Sequence, residues 1–472
     1  MDQTSGSYHP AVAIADAATV TVAARTDPNL RRISQGAWAL YDVANTIWSF
    51  VVVSYAISLW LTDDARFGNG LGNIVLGIAV AVSVGLNAIV SPILGALSDR
   101  GGRRLPFLLA FTALCVVPTA FIGFSSPVLG TLLFAIANFA YQAALIYYDS
   151  SIKLVSTPAT RGRMSGLGTG IGYLGTVGSG LILFLFTPPV EMRFVIAAVL
   201  YALLAIPIFT ILREPPPPPG SRITVRDVLA SLTQLATTIR HAREVPGLPN
   251  FLVGRFFYSD AVNTVIVVMS LVAVRAVGLT ESQAALVLLS LTVVAIVMSF
   301  VWGYLCDRLG PKRTLMIVLA SWAIGLVLGS ISLALNATDP AGKPVPTTTG
   351  LGLFLVAGAI LGSGLGGVQV SDRALMVRLS PADRAGEFFG IYGLVGKASQ
   401  VIGQLLFGAI LFLSFDSLGI GAYQLAVLSL IVTMLVGAWL LRPVSDRWEG
   451  SGEVLHVPPR MAPDHAPLTD RS

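Results

Sequence analysis

Twelve apolar runs, each about as long as a membrane-crossing helix, occupy most of this 472-residue chain. A helix rises 1.5 Å per residue, so roughly 20 apolar residues traverse the hydrocarbon layer. The runs lie near 36–61, 73–97, 106–125, 128–150, 165–186, 194–212, 250–274, 283–305, 314–335, 351–376, 388–413 and 421–441. They are too long for barrel strands and lack a barrel's period-2 alternation. Composition points the same way: 54% of residues are hydrophobic and 12% charged, against about a quarter charged in a soluble domain. A water-soluble globule and a disordered chain are both excluded. No signal peptide precedes the first run, so that run is expected to insert and remain.

Loop cations orient the spans. One set of loops carries Arg31, Arg32, Arg100, Arg103, Arg104, Lys153, Arg161, Arg163, Arg213, Arg222, Arg226, Arg240, Arg243, Arg308, Lys312, Arg313, Arg378, Arg384, Arg442 and Arg447. The opposite loops hold only Arg66, Arg193, Arg275 and Lys343. The positive-inside rule places both termini in the cytoplasm. A multi-pass protein of a bacterial plasma membrane, a monomer, is the expectation. Cys115 and Cys306 fall in or at the end of apolar runs and read as structural thiols.

The spans fall into two sets of six. The expected segments are an N-terminal tail 1–34, a six-helix bundle 35–213, a cytoplasmic linker 214–249, a second bundle 250–442 and a tail 443–472. The linker opens with the stiff Pro215–Pro219 run. Thr224-x-x-Asp227 then resembles a capping box, and Val225, Val228, Leu229, Leu232, Leu235, Ala236 and Ile239 recur at helical spacing. An amphipathic helix at the membrane interface is expected there.

The halves repeat. Tyr41-Asp42-Val43-Ala44-Asn45-Thr46 matches Ser259-Asp260-Ala261-Val262-Asn263-Thr264. Gly95-x-x-x-Asp99-Arg100-x-Gly102-Arg103-Arg104 matches Gly303-x-x-x-Asp307-Arg308-x-Gly310-Pro311-Lys312-Arg313. Asp149 with Thr157-Pro158-Ala159-Thr160-Arg161 matches Asp372 with Ser380-Pro381-Ala382-Asp383-Arg384. Three matches in the same order indicate parallel repeats related by an axis along the membrane normal.

The duplicated Gly-x-x-x-Asp-Arg loop is similar to the loop signature of the major facilitator superfamily. Trp38-x-Leu40-Tyr41-Asp42-x-Ala44-Asn45, Arg255-Phe256-x-Tyr258-x-Asp260-x-x-Asn263-Thr264, Gly166-x-Gly168-x-x-x-Gly172-Tyr173-x-Gly175 and Gly386-Glu387-Phe388-Phe389-Gly390-Ile391-Tyr392-x-x-x-Gly396-Lys397 together resemble its vacuole-effluxer-like branch. That resemblance implies an all-α membrane protein of twelve helices in two pseudo-two-fold-related bundles. It also implies a secondary transporter working by alternating access, with amino-acid-like cargo. The short loops lack the large insertions of the fungal members, so an autophagic role is not carried over.

In the gate reading, Gly95 and Gly303 let helices approach closely. Asp99 and Asp307 face a helix N-terminus of the other half. Arg100, Gly102, Arg103, Arg104, Arg308 and Arg313 complete the duplicated loop, while Asp149, Asp372 and Glu387 receive its arginines. The plainer reading of the same arginines is that they only set topology.

Ionisable groups inside a membrane are costly and mark function. Asp42, Arg255, Asp260 and Lys397 meet that test, with Asn45, Gln142 and Asn263 on matching faces. Asn87, Asn138 and Tyr141 can add hydrogen bonds, and Ser49 shares the face of Asp42 and Asn45. Two anions and two cations suit a zwitterionic small-molecule substrate, and Asp42 or Asp260 could carry a coupling proton. The competing reading is that these charges pair internally and merely lock helices together.

No cofactor or metal is expected, and no nucleic-acid partner beyond the lipid bilayer and the solute. Gly170-x-Gly172-x-x-Gly175 fits a dinucleotide fingerprint but sits inside an apolar span with no βαβ unit, so its glycines are read as packing positions. His9, His241, His456 and His465 all lie outside the spans. In-span polar groups are spread over both halves, which argues against an enzyme. The alternative to a transporter is a transporter-derived sensor or scaffold, which need not retain charges inside the spans.

Overall fold

The computed structural model describes residues 28–101, 103–215, 235–340, 344–380 and 384–445. Gly102, the Thr224-x-x-Asp227 cap, Pro216–Pro219, Pro381-Ala382-Asp383, Lys343 and most of both tails lie outside the described residues.

Among the described residues, twelve long helices form the body. Helix α1 runs as Pro28–Trp48, a π-helical stretch Ser49–Ala56 and a final turn Ile57–Leu61. It is followed by α2 (Gly68–Gly101), α3 (Leu105–Phe121, extended by a 3₁₀ turn Ile122–Phe124), α4 (Pro127–Ser150), α5 (Arg161–Phe186) and α6 (Val190–Ile211). A shorter helix, α7 (Leu235–Glu244), lies in the linker. The second half comprises α8 (Leu248–Val272, continued by a π turn Ala273–Val277), α9 (Glu281–Leu309), α10 (Pro311–Ala334), α11 (Thr348–Leu379), α12 (Ala385–Leu418) and α13 (Gly421–Leu440). Ten of the helices are long and apolar enough to cross a membrane. The other two are α8, which carries Arg255 and Asp260, and α12, in which Leu406–Leu418 is a shorter apolar stretch.

Helix ends follow local chemistry. Ser126 accepts the Leu129 N–H at 3.4 Å, with Pro127 at the first helical position of α4. Thr280 and Gln283 form a reciprocal capping box at the start of α9. Gly310 adopts φ +86° between α9 and α10, a conformation glycine reaches without cost, and Pro311 then starts α10. Two boundaries overrun the sequence expectation. Helix α1 starts at Pro28, inside the stretch read as tail, and α2 continues to Gly101, which places Asp99 and Arg100 in its last turn.

Packing within each half is duplicated. Helix α1 packs on α5 and α6, as α8 packs on α12 and α13. Helix α3 packs on α4 and α6, as α10 does on α11 and α13, and the α2–α4 contact recurs as α9–α11. Between halves, α2 lies against α12 and α5 against α9, which the repeat exchanges. The exterior is apolar: Leu71, Ile74, Ile78, Val82, Leu86 and Ile89 form an exposed stripe along α2, as a lipid-facing helix requires. Large aromatics fill the first bundle, with Trp38 stacked on Tyr148 at 4.5 Å and Trp48 on Tyr141 at 4.5 Å.

Candidate functional site

A polar cavity of about 480 Å³ lies between the halves. Asp42, Asn45, Thr46 and Ser49 reach it from α1, spaced three or four residues apart on one helical face. Tyr141, Gln142 and Asp149 come from α4, and Tyr173 and Thr176 from α5. The second half supplies Arg255, Ser259 and Asn263 from α8, Gln369, Asp372 and Arg373 from α11, and Tyr392 and Lys397 from α12.

The α1 face is held close to α5 by small residues. A Cβ at Gly168 would lie 2.5 Å from the Trp38 ring, and one at Gly172 would lie 3.1 Å from the Asp42 carboxylate. Thr46 donates to the Gly172 carbonyl at 2.5 Å. These glycines are packing positions, as the absence of a βαβ unit implied. Asn45 accepts from the Tyr201 hydroxyl at 2.6 Å, while its buried Nδ2 has no hydrogen-bond partner among the described residues.

The cavity charges are committed unequally. Asp372 accepts from Arg255 Nε at 2.9 Å, Tyr258 at 2.6 Å and Tyr392 at 3.0 Å, and the Arg255 guanidinium lies 3.6 Å above the Tyr392 ring. Asp149 meets Arg373 Nε at 3.0 Å. Lys397 donates to Asn87 of α2. Among the described residues neither Lys397 nor Asp42 has an oppositely charged side-chain atom within 4.0 Å.

Several sequence expectations shift. Asp149 and Asp372, expected at the gate as partners of the loop arginines, line the cavity and pair with Arg373 and Arg255 instead. Asp372 lies seven residues before the end of α11, about 10 Å inside, where only another in-span cation can reach it. Asp260, expected beside Asp42's counterpart face, does not line the cavity. It is buried against α12, where a Cβ at Gly403 would collide with its carboxylate and with Thr264. Asn138 is buried too, bonded to Ser83 at 2.8 Å. Arg373 and Gln369 were not singled out by sequence. The signal was available for Arg373, an arginine inside the tenth run, but its neighbour Asp372 had been assigned to the loop repeat.

Between the cavity and the end bearing the termini, the halves touch. Asp307 accepts from the Gly162 N–H at 2.7 Å, the Arg163 N–H at 3.1 Å and Arg163 Nε at 2.7 Å, so it caps α5 from the other half. A Cβ at Gly303 would lie 2.9 Å from the Gly162 carbonyl, and one at Gly95 would strike the Gly386 carbonyl. Lys153 donates to the Ser380 carbonyl at 3.1 Å. Glu387, buried at the start of α12, meets His241 of α7 at 3.2 Å, so the linker helix packs against α12 and α2. Arg308 stacks on Tyr304 at 4.4 Å. Arg103 and Arg313 are exposed, and the backbone N–H groups of Arg104 and Leu105 are capped by Glu214 at 2.7 and 3.0 Å. The halves therefore meet at the termini-bearing end.

A profile described as "Vacuole effluxer Atg22 like" matches residues 74–446. The chain belongs to that family. A Bacillus subtilis protein named as an uncharacterized MFS-type transporter, YxiO, is 26% identical over 438 residues, covering 87% of this chain and 95% of YxiO. The autophagy-related protein 22 of Neurospora crassa is 23% identical over 419 residues, covering 70% of this chain and 56% of the fungal protein. Among solved structures, FucP, a major facilitator superfamily transporter in the outward conformation, superposes with a TM-score of 0.64 at 15% identity, covering 88% of this chain and 98% of FucP. Both resemblances are borne out, the superfamily drawn from the duplicated loops and the vacuole-effluxer-like branch drawn from the Trp38, Arg255, Gly166 and Gly386 motifs. This Atg22-like chain is an integral membrane transporter with the major facilitator fold.

Proposed function

We propose that this transporter moves a small polar, amino-acid-like solute by alternating access across a plasma membrane, with both termini in the cytoplasm. The observation that carries this reading is the pair of uncommitted charges in one cavity. Asp42 from the first half and Lys397 from the second both line it, and among the described residues neither is ion-paired. The other charges lining the cavity, Arg255 with Asp372 and Arg373 with Asp149, cancel in pairs. A zwitterion places its ammonium on Asp42 and its carboxylate on Lys397, and so bridges the halves. Asn45, whose buried Nδ2 has no partner among the described residues, supplies a further donor. The volume falls within the roughly 300–1,000 Å³ usual for small-molecule sites.

The bundles 35–213 and 250–442 act as the rocking bodies and 214–249 as their tether. The duplicated loop is the cytoplasmic gate, closed here through Asp307 and the Gly95–Gly386 and Gly162–Gly303 approaches. Asp42 is the group on which a coupling proton would travel.

Counterflow in proteoliposomes tests the reading. Radiolabelled amino acids should exchange where sugars do not, and Asp42→Asn and Lys397→Gln should each abolish exchange with the protein still monodisperse. Exchange surviving in both variants rejects the cavity assignment. Running the assay with and without a pH gradient decides whether a proton accompanies the cargo. Protease access to a terminal tag in right-side-out vesicles decides orientation.

A further inference from the structure

Helix α8 carries a carboxylate that the cavity does not use. Asp260 is 3% exposed, and Thr264, one turn further on, is 0% exposed. Asp260 Oδ1 and Thr264 Oγ1 have no hydrogen-bond partner among the described residues, and no cation of those residues pairs with Asp260. Both oxygens converge on one point of α12, because a Cβ at Gly403 would strike each of them. The hydroxyl turns that way against the habit of a helical threonine. Thr112, Thr119, Thr292 and Thr314 each donate to the carbonyl four residues back, at 2.7, 2.7, 3.0 and 2.9 Å. Thr264 makes no such bond.

The first half shows the same pattern satisfied. Thr46 follows Asp42 by four residues, as Thr264 follows Asp260. Thr46 bonds to the Val43 and Gly172 carbonyls, and Asp42 opens onto the cavity. In α8 both groups are sealed in and unmatched. A carboxylate buried in a membrane without a partner is costly enough that something from outside the chain must meet it.

We propose that Asp260 and Thr264, facing α12 at Gly403, hold one sodium ion that ties α8 to α12 within the second half. The chemistry selects the ion. One carboxylate balances one positive charge, whereas a divalent cation would leave a net charge buried. Carboxylate and hydroxyl oxygens suit a hard cation, and no group of three or more His, Cys, Asp or Glu that could hold a metal occurs among the described residues. Gly403 keeps the meeting point free, since any larger residue would fill it with a methyl group. Ser259, the residue before Asp260, lines the cavity, which gives the ion its route in. The site lies inside one bundle and apart from the proposed cargo position, so it is independent of the amino-acid reading above.

Binding of ²²Na⁺ to the purified full-length protein tests the site, with choline chloride holding ionic strength constant. The parent should bind one sodium per chain, displaced by unlabelled sodium, and sodium should raise its melting temperature by a few degrees, as a ligand of the folded state must. Asp260→Asn should lose both effects while remaining monodisperse. Thr264→Val should weaken binding roughly tenfold or more, as loss of one metal contact does, and Thr264→Ser should restore it. Asp416→Asn, an exposed acid on the same helix as Gly403, should bind as the parent does. No saturable binding in the parent, the result if a proton neutralises Asp260 instead, overturns the site. So does binding retained in Asp260→Asn, or binding lost in Asp42→Asn, which would put the ion in the cargo cavity. Should Asp260→Asn fail to fold, equal affinity in Thr264→Val and the parent overturns it as well. The readout needs no cargo, so a failed counterflow assay beside intact sodium binding rejects the cargo and keeps the site.

Discussion

The first helices of the two halves, α1 and α8, descend from one sequence pattern, yet they present different groups to the cavity. Helix α1 turns Asp42, Asn45 and Ser49 inward. Helix α8 turns Arg255, Ser259 and Asn263 inward and buries Asp260 against Gly403 of α12. The matched aspartates thus take different places, one lining the cavity, the other buried against a neighbouring helix. Their partners diverge as well: Gly172 of α5 leaves room for the Asp42 carboxylate to reach the cavity edge, while Gly403 lets α12 close over Asp260. A repeat fixes which helices pack together, and small residues on the neighbouring helix then decide which side chains reach the cavity.

The largest effect should come from the pair confined to the second half. Asp372→Asn leaves the largely buried Arg255 without its anion, and thermal unfolding in detergent should show a loss of about 3–5 kcal/mol. Asp149→Asn, which acts at a seam that can open, should cost clearly less. Equal losses would mean that the two pairs are structurally equivalent and would erase the distinction between the halves.

Next is the comparison of the two aspartates in transport. Asp42→Asn should abolish counterflow, whereas Asp260→Asn, removed from the cavity, should retain flux within a few-fold. Loss of flux in both variants would show that the repeat preserves function as well as packing.

The two seams offer a smaller, symmetric test. Gly95→Ala forces a methyl against the Gly386 carbonyl and Gly303→Ala forces one against Gly162, each costing the closed arrangement about 1–3 kcal/mol. Both should speed N-ethylmaleimide alkylation of Cys306, which is buried where α9 meets Gly162 of α5. Gly178→Ala, which points into open space, should not.

The smallest effect concerns the start of α3, where Glu214 accepts two backbone N–H groups. Burial, the largest influence, pushes its carboxyl above the ordinary 4.5, against the lowering effect of those N–H groups and of Arg104 and Arg103. A raised folded value means that its contribution is fully present below about pH 4.5 and fades as pH climbs through the folded value. Stability of the parent relative to Glu214→Gln should therefore decline upward from that pH, by no more than about 1 kcal/mol. A relative gain with rising pH would reverse the assignment of burial as the dominant cause.

Much of the fold was legible because the bilayer is a severe solvent. An apolar run of twenty residues has few choices there, and the alternation of cation-rich and cation-poor loops follows from the same constraint. The duplicated loops at Gly95 and Gly303 carried the superfamily, since close backbone approach tolerates only the smallest residue, and the motifs around Trp38, Gly166, Arg255 and Gly386 carried the branch. The cavity was half legible. Asp42, Arg255 and Lys397 were found by the cost of charge in a membrane, and Asp149, Asp372 and Arg373 meet the same criterion. Reading Asp149 and Asp372 as loop partners hid the third. His241 of the linker reaches Glu387 only because α7 folds back on α12, a contact between residues 146 apart in sequence that no local pattern records.

The sequence alone determined the solvent, the helices, their duplication and the family, because hydrophobic length, loop charge and glycine spacing are local properties that bilayer physics reads directly. The tertiary structure decided which carboxylate meets which guanidinium. That choice turns on helix rotation and on a few ångströms of space beside Gly172 and Gly403, and at these distances a charge is either paired or left facing the cavity.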